Sequence, residues 1–142
     1  MTDVRTATAV LPHALPECEN ARIVLFAMRR MGANGLADAR AAHTLLTAFG
    51  QGFRRPLVLL RALMADLAGT SSGTIAIAPC CCARMTPAEA AMLTIIARVE
   101  IAPDAARLLM ADLLGVRRVD GVLASAAAVA AAFADEGRPV TA

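Results

Sequence analysis

The sequence predicts an all-α fold, a compact bundle of about six helices with one long cysteine-containing loop, and three observations carry that expectation. Alanine supplies 34 of the 142 residues; it is the best intrinsic helix former, and its short side chain lets helix backbones approach closely. Apolar residues recur three and four positions apart through most of the chain, the period of helices with a buried face. Proline, glycine and short polar residues fall between those segments, where helix starts and stops require them.

The elements follow in order. Residues 1–14 lack a helical period and are expected to form an extended or mobile arm. Helix 1 should open near Pro16, with Glu17 and Glu19 complementing its positive end. The run Ile23-Val24-Leu25-Phe26-Ala27-Met28 makes it a central, buried helix that stops around Met31-Gly32, where Arg29 and Arg30 face the negative end. Helix 2 is expected from Leu36 to Phe49, with Gly50 and Gly52 marking its end. Helix 3 should run from Phe53 to Ala68, with Leu57, Leu60, Met64 and Leu67 on one stripe. Gly69–Gly73 reads as a loop. The alternation in Thr74–Ala78 resembles a strand, but no convincing partner follows in the sequence, so the expectation is an extended segment laid on the helices.

Helix 4 carries the clearest start signal: Thr86 as N-cap, Pro87 at the first position and Glu89 closing a capping box. It should reach Ile101. Helix 5 is expected from Pro103 to Gly115, and helix 6, capped by Asp120, to Glu136, where Gly137 and Pro139 stop it. Residues 15–137 thus form a single helical domain, with 138–142 as a C-terminal tail.

Composition narrows the function classes. With 58% hydrophobic and 18% charged residues, the chain lies far from disordered compositions, and at its length a core can hide roughly 68% of the unfolded surface without a metal or disulfide. The longest apolar stretch, Val122–Ala134, is shorter than the roughly 20 residues a bilayer crossing takes. Tyr and Trp are absent, so there is no aromatic belt, and no membrane partner is expected. All 14 basic residues are arginine, and the net charge of +2 gives little attraction for a nucleic acid. Phe26, Phe49, Phe53 and Phe133 read as core rather than as platforms for stacked bases. The first residues lack a basic cluster followed by a long apolar region, so a cytoplasmic location is expected, with its four cysteines free, metal-bound or redox-active.

Chemistry concentrates at Cys80-Cys81-Cys82, which follow Pro79; Cys18 is the only other thiol. In an extended segment Cys80 and Cys82 would face the same way, with Cα atoms about 6.6 Å apart, and could share one soft metal ion such as zinc. A tetrahedral site would need two more ligands, and Cys18, His13 and His43 are the remaining soft donors. Cys18, expected in the first turn of helix 1 near Arg22, would have its thiolate favoured there, and a reversible thiol switch follows if it meets the triplet. The competing reading is four buried cysteines acting as small hydrophobes.

Arg54 and Arg55 oppose the dipole at the start of helix 3, which points to an anionic neighbour: a small anionic ligand or a carboxylate from an adjacent helix. His43, Arg54 and Arg55 are the polar residues a catalytic pocket would use, yet no nucleophile, di-iron or phosphate-loop motif accompanies them, so no catalytic residue is assigned. Ala111–Val119 is similar to the turn of a helix-turn-helix, with Arg117 and Arg118 as phosphate contacts. The apolar helix after Asp120 has little with which to read bases.

The strings Leu11-Pro-His-Ala-Leu-Pro16, Arg29-Arg-Met-Gly32, Phe53-Arg-Arg-Pro-Leu-Val-Leu-Leu-Arg-Ala-Leu-Met64 and Ala78-Pro-Cys-Cys-Cys82, followed by Arg84-Met-Thr-Pro-Ala-Glu-Ala90, resemble an uncharacterised family of small alphaproteobacterial helical proteins. The resemblance spans about residues 11–136. It implies one helical domain in a bacterial cytoplasm and no assigned activity. The leading expectation is a non-enzymatic association or regulatory domain, homodimeric through the small-residue face of helix 6. The alternative is a thiol-based metal or redox protein, and the weakest is a DNA-binding regulator.

Overall fold

The computed structural model describes residues 11–142. Its α-helices are α1 (Glu19–Asn34), α2 (Ala39–Phe49), α3 (Arg54–Thr70), α4 (Pro87–Arg98), α5 (Pro103–Leu114) and α6 (Asp120–Asp135), with a 3-10 turn at Gly50–Phe53. The all-α expectation therefore holds. A small antiparallel ladder, β1 (His13–Ala14) with β2 (Arg84–Met85), pairs His13 with Met85 and Ala14 with Arg84. The expected arm falls mainly on residues 1–10, outside the described residues; residues 11–14 are extended. The Arg84 guanidinium donates to the Leu11 and Pro12 carbonyls and ties this segment to the exit of the cysteine loop.

α1 is central, packing on α2, α3 and α4, while α3 lies along α6 and α4 along α5. The core is aliphatic and methionine-rich: Val24, Met28, Leu45, Leu60, Leu63, Met92, Ile95, Ile96 and Met110 are fully buried. Phe133 meets Phe49 edge-on at 4.9 Å, as aromatic quadrupoles prefer. The small face of α6, with Ala126, Ala130 and Ala132, is buried within the chain, and α3 is its main partner. That close approach of helices is intramolecular.

Several boundaries differ from the sequence reading, each for a local reason. α1 begins at Glu19 with Cys18 as N-cap, not at Pro16, and continues through Gly32 to Asn34. Gly32 is tolerated there because Ile77 crosses it so closely that an added Cβ would lie 3.3 Å from Ile77 Cδ1. α2 begins at Ala39 rather than Leu36, because the Asp38 side chain accepts from the Ala41 N–H and acts as N-cap. α4 closes at Arg98. Asp120 does not cap α6: it is the first helical residue, Val119 takes the cap position, and the Asp120 carboxylate pairs with Arg107. At the end of α5, Gly115 takes the left-handed conformation (φ 66°) that an L side chain adopts only with strain. The Ser72 N–H and hydroxyl there both donate to the Leu114 carbonyl, at 2.9 Å.

Residues 138–142 lie back over the bundle. Arg138 donates to the Ala48 carbonyl and to Asn20 Oδ1, Asn20 donates to the Pro139 carbonyl, and Val140 is buried.

Candidate functional site

The cysteine loop is held from beneath by a buried ion pair. Arg29 and Glu89 are 3% and 1% exposed. Arg29 Nε donates to Glu89 Oε2 at 2.7 Å and a terminal nitrogen donates to Oε1 at 3.1 Å, a bidentate fork. The remaining guanidinium N–H groups reach the Cys82 carbonyl at 2.9 Å and the Arg84 carbonyl at 2.8 Å. Glu89 in turn accepts from the Thr86 N–H (2.9 Å) and the Ala78 N–H (3.3 Å). Thr86 accepts from the Glu89 N–H and donates its hydroxyl to the Ala76 carbonyl at 2.7 Å. Every buried side-chain nitrogen and oxygen among the described residues has a partner, as a buried charge pair requires if it is to persist.

In the sequence Arg29 stands at a helix end and Glu89 in a capping box, and nothing local joins the two. A signal was present. Glu89 shares the 89, 92, 93, 96 stripe with buried Met92, Leu93 and Ile96, and Arg29 falls four residues after buried Leu25. A charge on an apolar stripe needs an opposite charge opposite it.

The loop itself is not extended. The Cys82 N–H donates to the Pro79 carbonyl at 3.0 Å, closing a β-turn that carries Cys80 and Cys81 at its two central positions. The alternation that would aim Cys80 and Cys82 the same way is therefore absent, a correction set by this hydrogen bond. Cys80 and Cys81 are exposed and Cys82 is half-buried, so the triplet does not act as core. Arg30 binds Asp38 through two hydrogen bonds, at 3.2 and 3.0 Å. That contact, followed by a weaker one from Cys80, raises the Arg30 guanidinium above its ordinary range against the opposing effect of desolvation.

Cys18 lies elsewhere, as the N-cap of α1 beside Pro139 and Thr141. Burial pushes its thiol up, but hydrogen bonds from Thr141 and from the Ala21 and Asn20 backbone outweigh that and hold it below its ordinary value. Arg22 plays no part in this, because its guanidinium turns to the Pro16 carbonyl. Cys18 precedes Arg29, the anchor of the cysteine turn, by eleven residues, which is about 16 Å of helix. The two thiol sites are separate.

His13 and His43 are exposed, on β1 and α2 respectively. Among the described residues no three His, Cys, Asp or Glu side chains converge as a metal's donor set. Arg55 pairs with Asp135 at the end of α6 (2.7 Å), the carboxylate neighbour that its position at a helix start anticipates. Arg54 instead lies 6.0 Å from the centre of the Phe53 ring.

A second surface feature lies on α5. Ile101 and Leu108 are 80% and 74% exposed. Exposed Ala105 and half-buried Leu109 join Leu108 in a stripe on α5 over a groove lined also by Thr94, Arg98 and Asp112, while Ile101 stands in the turn just before the helix. Arg98 flanks the start of the stripe, its carbonyl accepting from the Ala102 N–H, and Asp112 flanks the end. Neither makes an ion pair among the described residues.

Residues 2–130 match the model of a "Family of unknown function (DUF6628)". The chain belongs to this family. Its membership agrees with the resemblance read from the sequence and carries no activity to transfer. Comparisons with curated proteins and with solved structures return no match. No helix among the described residues is long and apolar enough to cross a membrane.

Proposed function

We propose that the protein is a non-enzymatic association domain that pairs with a second copy of itself through the outer face of α5. The observation that carries this reading is exposed Leu108 beside Ala105 on α5, with exposed Ile101 in the turn before it, Arg98 at one end and Asp112 at the other. A two-fold pair is self-complementary. Two α5 helices crossing antiparallel at Ala105, whose small side chain permits close approach, would bury Leu108 and Ile101 and set each Arg98 against the partner's acidic end. The polar side chains of the buried network are meanwhile committed to one another and to the loop backbone, which favours a structural role for them over a catalytic one.

The test uses charge reversal. Arg98→Glu alone and Asp112→Arg alone should each weaken the dimer, because each leaves like charges opposed. Mixing the two variants should restore it as a heterodimer, seen by native mass spectrometry. Full dimerisation by either variant alone, or no recovery on mixing, contradicts the proposal.

A second reading, thiol chemistry, is favoured by Cys80 and Cys81 standing exposed on a turn whose backbone is pinned. Glutathione disulfide should then form a mixed disulfide at the turn, the attacking thiolate displacing one glutathione thiolate. A free-thiol count unchanged after this treatment, with elemental analysis showing no bound soft metal, would remove this reading.

A further inference from the structure

A cavity of about 300 Å³ lies between α1, α3 and α4 beneath the segment Ser71–Ile77. Its floor is sulfur and hydrocarbon: Met28 and Met92 at full depth, with Met64, Leu67, Ile75 and Ile77 around them. It adjoins a second cavity of about 320 Å³ through shared Gly32, Ile75 and Ile77. Arg29 is the one charged residue on either lining, and its guanidinium is taken by Glu89 and two loop carbonyls. The walls therefore offer no free charge and little that a polar ligand could use.

The segment over the cavity is hydrogen-bonded to the bundle at both ends and only sparsely between them. Ser72 is fixed to the Leu114 carbonyl, while Ala76 and Ala78 are fixed to Thr86 and Glu89. Between these anchors, Gly73 bonds only to Ser71. Three methionines, unbranched and readily repacked, form walls that can yield to an entering chain.

We infer that this cavity is a binding site for the unbranched aliphatic chain of a small amphiphile, admitted between α3 and the Gly73–Ile75 span. A pocket of this size, apolar and partly preformed, is what such a ligand requires. The hydrocarbon takes the methionine floor and its polar head stays at the mouth, beside Ser71 and Thr74. This inference is independent of the α5 pairing surface, which lies on other residues.

Titration of the full chain, methyl-labelled at methionine, with 1-butanol, 1-hexanol and 1-octanol tests it by NMR. The expected result is saturable shifts at Met28, Met64 and Met92, with Met31, Met85 and Met110 unmoved. Affinity should rise about fourfold for each added methylene, the free energy of burying that group. Octanoate in place of 1-octanol asks whether the head is indifferent to charge, as a solvated head at the mouth requires. Ala68→Phe and the smaller Ala68→Leu each fill the cavity from α3. Each should weaken 1-octanol binding on the order of tenfold, the equivalent of about two lost methylene burials, and the second serves if the first fails to fold. No shifts, unsaturable shifts at all the methionines, a loss of affinity with octanoate, or undiminished binding in a folded filled variant would overturn the inference.

Discussion

Glu89 closes the capping box of α4 and carries the counter-charge for Arg29, so one carboxylate sets both a helix start and the position of the cysteine turn. Removing it strands a buried guanidinium. Glu89→Ala should destabilise the protein by about 3–5 kcal/mol in urea unfolding, while the paired change Arg29→Met with Glu89→Leu should recover much of that loss, because an apolar pair leaves no unpaired charge. Asp38 makes a prediction in pH. The Arg30 hydrogen bond, and after it the Ala41 N–H, hold its carboxyl below the ordinary value of 3.8 that the unfolded chain would show. The folded state thus favours the ionised form, and its contribution is complete above about pH 5 and lost as pH falls through the depressed folded value. Thermal unfolding followed from about pH 6 to pH 2 should show a shallower acid limb for Asp38→Asn than for the parent chain. Equal slopes would mean that the Arg30 contact contributes nothing on folding.

At the scale of elements, the start of α4 was legible because a capping box is local: Thr86, Pro87 and Glu89 signal it within four residues. Thr86→Ala removes that cap and also frees the Ala76 carbonyl, so a loss of about 1–2 kcal/mol is expected, with faster hydrogen exchange at the Ala78 and Thr86 amides. Gly115→Ala should cost at least about 1–2 kcal/mol in urea unfolding, through its left-handed backbone and the crowding of the Ser72 hydroxyl by the added Cβ. The end of α1 was not legible, since Gly32 reads as a stop, whereas its lack of a side chain serves the crossing of Ile77 and the helix closes at Gly35. Nor was the β1–β2 ladder, as two-residue strands leave no periodic trace. The cysteine turn was not legible either, because Pro79 permits both an extended and a turned chain and the deciding hydrogen bond is visible only in three dimensions.

For the whole molecule, the alanine-rich face of α6 was expected to bind a second copy and is spent inside the chain, where α3 is its main neighbour. Sequence marks a face as suited to close packing without saying which helix takes it. The most exposed large apolar side chain on a helix is instead on α5, where Leu108 points outward while Ala106, Met110 and Leu114 face the core. Sedimentation velocity of the full chain at micromolar concentration tests this account most directly. The parent should sediment as a dimer, and Leu108→Glu as a monomer with unchanged helical circular dichroism. A parent chain that stays monomeric, or a Leu108→Glu variant that stays dimeric, would contradict it.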